Sequence, residues 1–134
     1  MPVAELDYAF VADYAKVERS GTLTVVGASY TQVTVSRLPA AHLMSIAGRV
    51  RSRVDAGPVS LTVTIKPPLT DQFVVVFTMD LTPEPDARPY GDGRLGLLFA
   101  ITTGLPLDHE GVYTIDLELE GSHARTLMFE VIKS

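Results

Sequence analysis

In the last third of the chain, apolar and polar residues alternate almost without error. Tyr113, Ile115, Leu117 and Leu119 fall on one parity, and Thr114, Asp116, Glu118 and Glu120 on the other. After Gly121-Ser122-His123-Ala124 the pattern resumes with Leu127, Phe129 and Val131. Side chains on a strand point alternately to opposite faces. The stretch therefore predicts a strand, a short turn and a strand, with one face buried and one wet. Upstream, Val59 to Lys66 alternates perfectly and stops at Pro67-Pro68, because proline cannot donate to a ladder. Phe73 to Leu81 follows, with apolar residues on both parities. Leu95, Leu97, Phe99 and Ile101 mark a further strand. Met44, Ile46 and Val50 mark another, with Arg49, Arg51 and Arg53 on its opposite face. Leu23 and Val25 begin a strand after Ser20-Gly21, and the β-branched stretch Tyr30 to Val35 is either its continuation past Gly27 or a separate strand.

Residues 6–17 fit two periods. Leu6, Tyr8, Phe10, Ala12 and Tyr14 alternate as a strand would, while Leu6, Phe10, Tyr14 and Val17 sit near helical spacing. Strand is preferred, because the neighbours are all strands and the aromatics lie in the period-2 set. The count comes to about eight strands at the spacing of a sandwich or barrel. The expected fold is an all-β antiparallel sandwich, Greek-key or jelly-roll-like, with residues 1–134 as one domain.

Two stretches read together carry a resemblance. One is Ala12-Asp13-Tyr14-Ala15 followed by Gly21-Thr22-Leu23-Thr24-Val25-Val26-Gly27-Ala28. The other is Gly104-Leu105-Pro106-Leu107 followed by Gly111-Val112-Tyr113-Thr114-Ile115 and the Gly121 turn. The chain resembles an uncharacterised family of short bacterial and phage-associated proteins, a domain of unknown function. The resemblance spans the chain, is anchored at its two ends, and implies a β-sandwich but no activity. The residues by themselves offer two readings of Tyr113: the tyrosine corner of Greek-key sandwiches, whose hydroxyl bonds back to nearby backbone, or an inward core residue.

Composition narrows the chemistry. No cysteine is present, which removes disulfides, thiolate catalysis and Cys-ligated zinc. Net charge is −5, from 16 acidic and 11 basic residues, which argues against a nucleic-acid partner. No apolar run approaches the roughly 20 residues of a membrane helix. The start lacks the basic and apolar regions of a signal peptide, so a cytoplasmic protein without a membrane partner is expected. The elbow Gly-x-Ser-x-Gly is absent, and His42, His109 and His123 lie in no catalytic or metal-binding motif. Asp80, Glu84, Asp86 and Asp92 gather around a long loop, but a solvated acidic loop explains them better than calcium. No catalytic residue, cofactor or metal site is expected.

Two features stand out. Arg49, Arg51 and Arg53 would line one strand face about 7 Å apart, a repelling row that needs acidic neighbours or an anionic partner. Asp116, Glu118 and Glu120 form a matching acidic row, so these six residues are a candidate interface if the strands pair within a sheet or between subunits. The second feature is the proline-rich loop Thr82–Gly93, which has no regular structure; Arg88, Tyr90 and Asp92 are its candidate ligand contacts. The uncharged Tyr30–Val35 stretch suits an edge strand open to strand addition, or equally a central strand. The expected function is a non-enzymatic binding or assembly module, acting on a protein partner or on itself as a homo-oligomer. A small-ligand binder using loop 82–93 is the alternative, and an enzyme of unrecognised type a weaker one.

Overall fold

The computed structural model describes residues 3–69 and 74–134. Phe73, the expected start of one strand, lies outside the described residues. Nine strands are seen among them: β1 (Ala4–Val17), β2 (Leu23–Ala28), β3 (Gln32–Val35), β4 (Ala40–Ser52), β5 (Val59–Lys66), β6 (Val75–Leu81), β7 (Leu95–Leu107), β8 (Gly111–Leu119) and β9 (Ser122–Lys133). They form a four-stranded sheet in the order β2-β1-β4-β7 and a five-stranded sheet in the order β3-β9-β8-β5-β6. The sheets pack face to face as a β-sandwich. Every pairing is antiparallel except that of β3 with β9, which is parallel. The described residues contain no helix long and apolar enough to cross a membrane.

Period-2 patterning accounts for the layers. From Val59 to Ile65 in β5 and from Tyr113 to Leu119 in β8, buried and half-buried positions alternate strictly. Val59, Leu61, Val63, Ile65, Tyr113, Ile115, Leu117 and Leu119 face Met44, Ile46, Val50, Leu97 and Phe99 in one continuous core. Residues 4–17 are strand throughout. Tyr30–Val35 resolves into a short strand that is separate from β2 and lies at a sheet edge, not in its centre. The last hairpin turns at Glu120-Gly121, both with positive φ (51° and 79°), so β9 restarts at Ser122, earlier than the sequence pattern suggests. Successive positive φ values match the twist of a two-residue hairpin.

Two irregularities shape the four-stranded sheet. The β1–β4 register shifts between Leu6, opposite Val50, and Tyr8, opposite Arg49, so Asp7 is an extra residue at a β-bulge. Gly48 lies beside it, where a Cβ would sit 2.9 Å from Ala9 Cα and closer still to the Tyr8 carbonyl. Past Ala12, β1 leaves β4 and pairs with β2. This arm approaches β7 without pairing to it, and its tip shares a cleft of about 630 Å³ with Gly96–Leu98 and with Asp80–Ala87 residues. Ala12, Ala15 and Ala47 are buried apart from the central core.

Candidate functional site

Because Met44, Ile46 and Val50 face the core, Arg49 and Arg51 project from the outer face of the four-stranded sheet. The bulge brings Asp7 and Tyr8 to the same place. Arg49 donates from Nε and Nη2 to Asp7 Oδ2, at 2.8 and 2.5 Å, and its guanidinium lies 5.0 Å from the Tyr8 ring centroid. Arg51 donates to Glu5 Oε1 at 3.3 Å and to Asp92 Oδ1. Its Nε donates to the Tyr90 hydroxyl at 3.1 Å. The Tyr90 ring serves both arginines, 5.4 Å from the Arg49 guanidinium and 5.2 Å from that of Arg51.

The loop is built to deliver these groups. Tyr90 N donates to Arg94 O at 3.0 Å and Gly93 N to Tyr90 O at 3.2 Å, closing a tight turn whose Gly91 and Gly93 adopt positive φ. Gly96, on β7 opposite Arg51, leaves the sheet surface bare. A Cβ there would stand 3.2 Å from Tyr90 Cε1 and 3.3 Å from Arg49 Cδ. Tyr8 stacks in turn on Phe10, centroids 6.2 Å apart. The resulting patch is an ordered lattice of two arginines, two tyrosines and three carboxylates. The Arg51 guanidinium beside it holds the Asp92 carboxyl below the usual carboxylate range.

The arginine row and the ligand loop are therefore one site, through Tyr90 and Asp92. The acidic row is not part of it. Tyr113, Ile115, Leu117 and Leu119 face the core, so Asp116 and Glu118 lie on the outer face of the other sheet, across the sandwich from the arginines. Asp116 accepts from Lys66 Nζ at 2.8 Å and Thr126 Oγ1 at 2.6 Å, and the Lys66 bond holds its carboxyl low. Glu120 is a turn residue, not a strand residue, and accepts from Ser60 N at 3.1 Å. The two rows thus cannot meet within one chain. Arg53 also stands outside the row: β4 ends at Ser52, and Arg53 pairs with Asp55 at 2.8 Å. Arg88 takes no part in the arginine–tyrosine patch and does not line the cleft beside the loop. Asp7, Glu5 and Tyr8 escaped sequence reasoning because a bulge has no period; Gly96 in an apolar strand was the available signal.

The histidines are dispersed. Tyr30 and His42 share a hydrogen bond of 2.9 Å and both pack on Phe129. Burial pushes the Tyr30 hydroxyl up to about 12 and lowers His42, with Asp13 opposing the latter. His123 Nε2 and Thr126 Oγ1 are 3.4 Å apart on an exposed surface. His109 offers its carbonyl to the Tyr113 hydroxyl at 3.0 Å. Tyr113 is thus both a corner and a core residue. Among the described residues no three His, Asp or Glu side chains gather as metal ligands would.

A single β-sandwich with a polar-aromatic patch on one outer face is the class these observations define. Residues 7–132 match the model of a family of unknown function, DUF6941, and the chain belongs to that family. No curated protein matches. Among solved structures it is similar to the Pseudomonas fluorescens alkylpurine DNA glycosylase AlkC bound to DNA containing an abasic site analogue. The two share 8% identity at TM-score 0.52; the match covers 98% of this chain but 31% of the glycosylase, so the chain spans about a third of that protein. It is also similar to the C-terminal domain of Wzt, with 11% identity and TM-score 0.52 over 100% of this chain and 76% of that one. At such identities the likeness concerns the fold alone.

Proposed function

We propose that this protein is a non-enzymatic binding or assembly module of the cytoplasm, in a bacterial or phage-associated setting. Its partner is a protein, its own copy included, and its working surface is the patch around Arg49, Arg51, Tyr8 and Tyr90. One observation carries the reading: two arginines and two tyrosines from three separate segments are locked together on an exposed sheet face. Arginine and tyrosine dominate the energetic centres of protein interfaces. Holding them in place beforehand reduces the entropy lost on binding. Each guanidinium–ring contact contributes only about 0.5–1 kcal/mol at an exposed site, which is modest for so elaborate a structural device.

The test is native mass spectrometry of the untagged protein purified gently from its source, beside an Arg51→Ala/Tyr90→Ala variant. The expected result is a discrete oligomer or a stoichiometric protein complex, lost in the variant while its circular dichroism is unchanged. A bare monomer in every preparation would overturn the reading. A monomer carrying a reproducible small adduct that raises its melting temperature would favour the small-ligand module of loop 82–93 instead.

A further inference from the structure

We propose that one open end of the sandwich, between the start of β1 and the β8–β9 turn, binds a small organic cation: an apolar body carrying one primary ammonium group. The site is separate from the arginine–tyrosine patch and does not rest on the assembly reading. Each sheet is irregular at this end. β1 bulges at Asp7. In β9 the register slips, so that Leu117 faces Arg125 and Glu118 faces His123, leaving Ala124 as an extra residue. Bulges bend the strands that carry them.

The core is left unfilled there. Ala4, Leu6 and Ala124 pack against it but are only partly buried. With Ala56, from the connection between β4 and β5, they line a cleft of about 780 Å³ that the buried Leu119 also borders. Three of these residues are alanines, too short to close the space between the sheets. A cleft of this size and lining suits a small molecule, and each methylene the ligand buries adds to its affinity.

Glu120 selects the head group. Its N–H donates to Ser60 O at 2.9 Å, and its Oε1 accepts from Ser60 N at 3.1 Å. This reciprocal pair fixes the carboxylate at the rim of the cleft. Among the described residues Oε2 takes no hydrogen bond and no cation pairs with Glu120. No lysine or arginine lines the cleft. Glu5 also borders it, but its carboxylate is bonded to Arg51. Ser122 and His123 complete the rim. An ammonium group carries the charge opposite to that of Glu120 and three donors to share between its free oxygen and the rim. Beside apolar walls that attraction is stronger than in open water, and a ligand carboxylate would be repelled.

The test is amide chemical-shift titration of the isotope-labelled full chain with hexylammonium, hexanol and hexanoate. Wild type is compared with Glu120→Gln, which keeps an acceptor for Ser60 N, and with Ala124→Leu, which puts a larger side chain into the cleft. Hexylammonium is expected to shift amides at residues 4–6 and 119–124, with hexanol weaker and hexanoate weakest. Glu120→Gln should weaken hexylammonium about fivefold and leave hexanol unchanged. Ala124→Leu should weaken both. Equal affinity for hexylammonium and hexanol in wild type, or no loss in Glu120→Gln, would overturn the ammonium as head group. No shift around the cleft with any probe at millimolar concentration would overturn the site. Arg51→Ala/Tyr90→Ala should bind hexylammonium as wild type does; loss of binding there would move the ligand to the patch and overturn the cleft. The proposed function is read from the oligomer or protein complex instead, so either can fail while the other stands.

Discussion

Gly48 shows how much a single missing carbon decides. It sits in mid-strand, where glycine normally weakens a sheet, yet any Cβ would meet the Tyr8 carbonyl and Ala9 Cα. Backbone cannot swing aside as a side chain end can. Gly48→Ala should therefore cost about 3 kcal/mol in urea unfolding and disturb the bulge that presents Asp7 and Tyr8. A midpoint unchanged from wild type would show that the strands are not so close. His42 makes a second prediction at this scale. Burial lowers its folded pKa, so the unfolded chain binds the proton more readily. Stability contributed by the neutral ring is complete above the unfolded value near 6.5, falls as pH drops through it, and levels off below the folded value. Melting temperature should decline on acidification across that window, and less steeply in His42→Gln, whose amide can still meet Tyr30. Equal slopes in the two proteins would refute the assignment.

At the scale of elements, alternation served well wherever a strand had one dry and one wet face. β5, β8 and β9 were legible for that reason, and Pro67-Pro68 marked the end of β5 correctly. β7 was legible only to Ile101, because Thr102, Thr103, Gly104 and Pro106 look like the close of a strand; an edge position lets the strand continue through a proline. The β7–β8 connection is held by the bond from the Tyr113 hydroxyl to the His109 carbonyl. Tyr113→Phe keeps the ring stacked on Phe129, 5.4 Å away, and removes only that bond. The expected loss is about 1 kcal/mol, read as a lower urea midpoint at unchanged slope. No loss would mean the corner is incidental to a core residue.

For the whole molecule, the decisive fact is which outer face each strand presents. The sequence shows two charged rows of opposite sign, and in isolation they suggest each other as partners. The sandwich separates them. Arg49 and Arg51 face out from one sheet, Asp116 from the other, and each finds nearer partners: Asp7, Glu5 and Asp92 for the arginines, Lys66 for Asp116. The same assembly brings the proline-rich loop onto the arginine row, so that two features read separately along the chain become one patch. It also leaves β7 at an edge.

What the sequence by itself determined was local: the all-β class, the positions of most strands, the buried parity of most of them, and the loop between β6 and β7; on β1 the bulge reverses the expected parity, so that Ala9 and Val11 rather than Tyr8 and Phe10 face the core. These follow from the period of the side chains and from the backbone demands of proline and glycine, which act over a few residues. Tertiary structure alone decided the order of strands, the bulge at Asp7, the union of Tyr90 with Arg49 and Arg51, and the place of β7 at the end of its sheet. Those depend on contacts between residues some 40 or more apart, such as Arg51 with Asp92 and Arg49 with Asp7. No local period encodes such contacts, because they arise only when two hydrophobic faces close on each other.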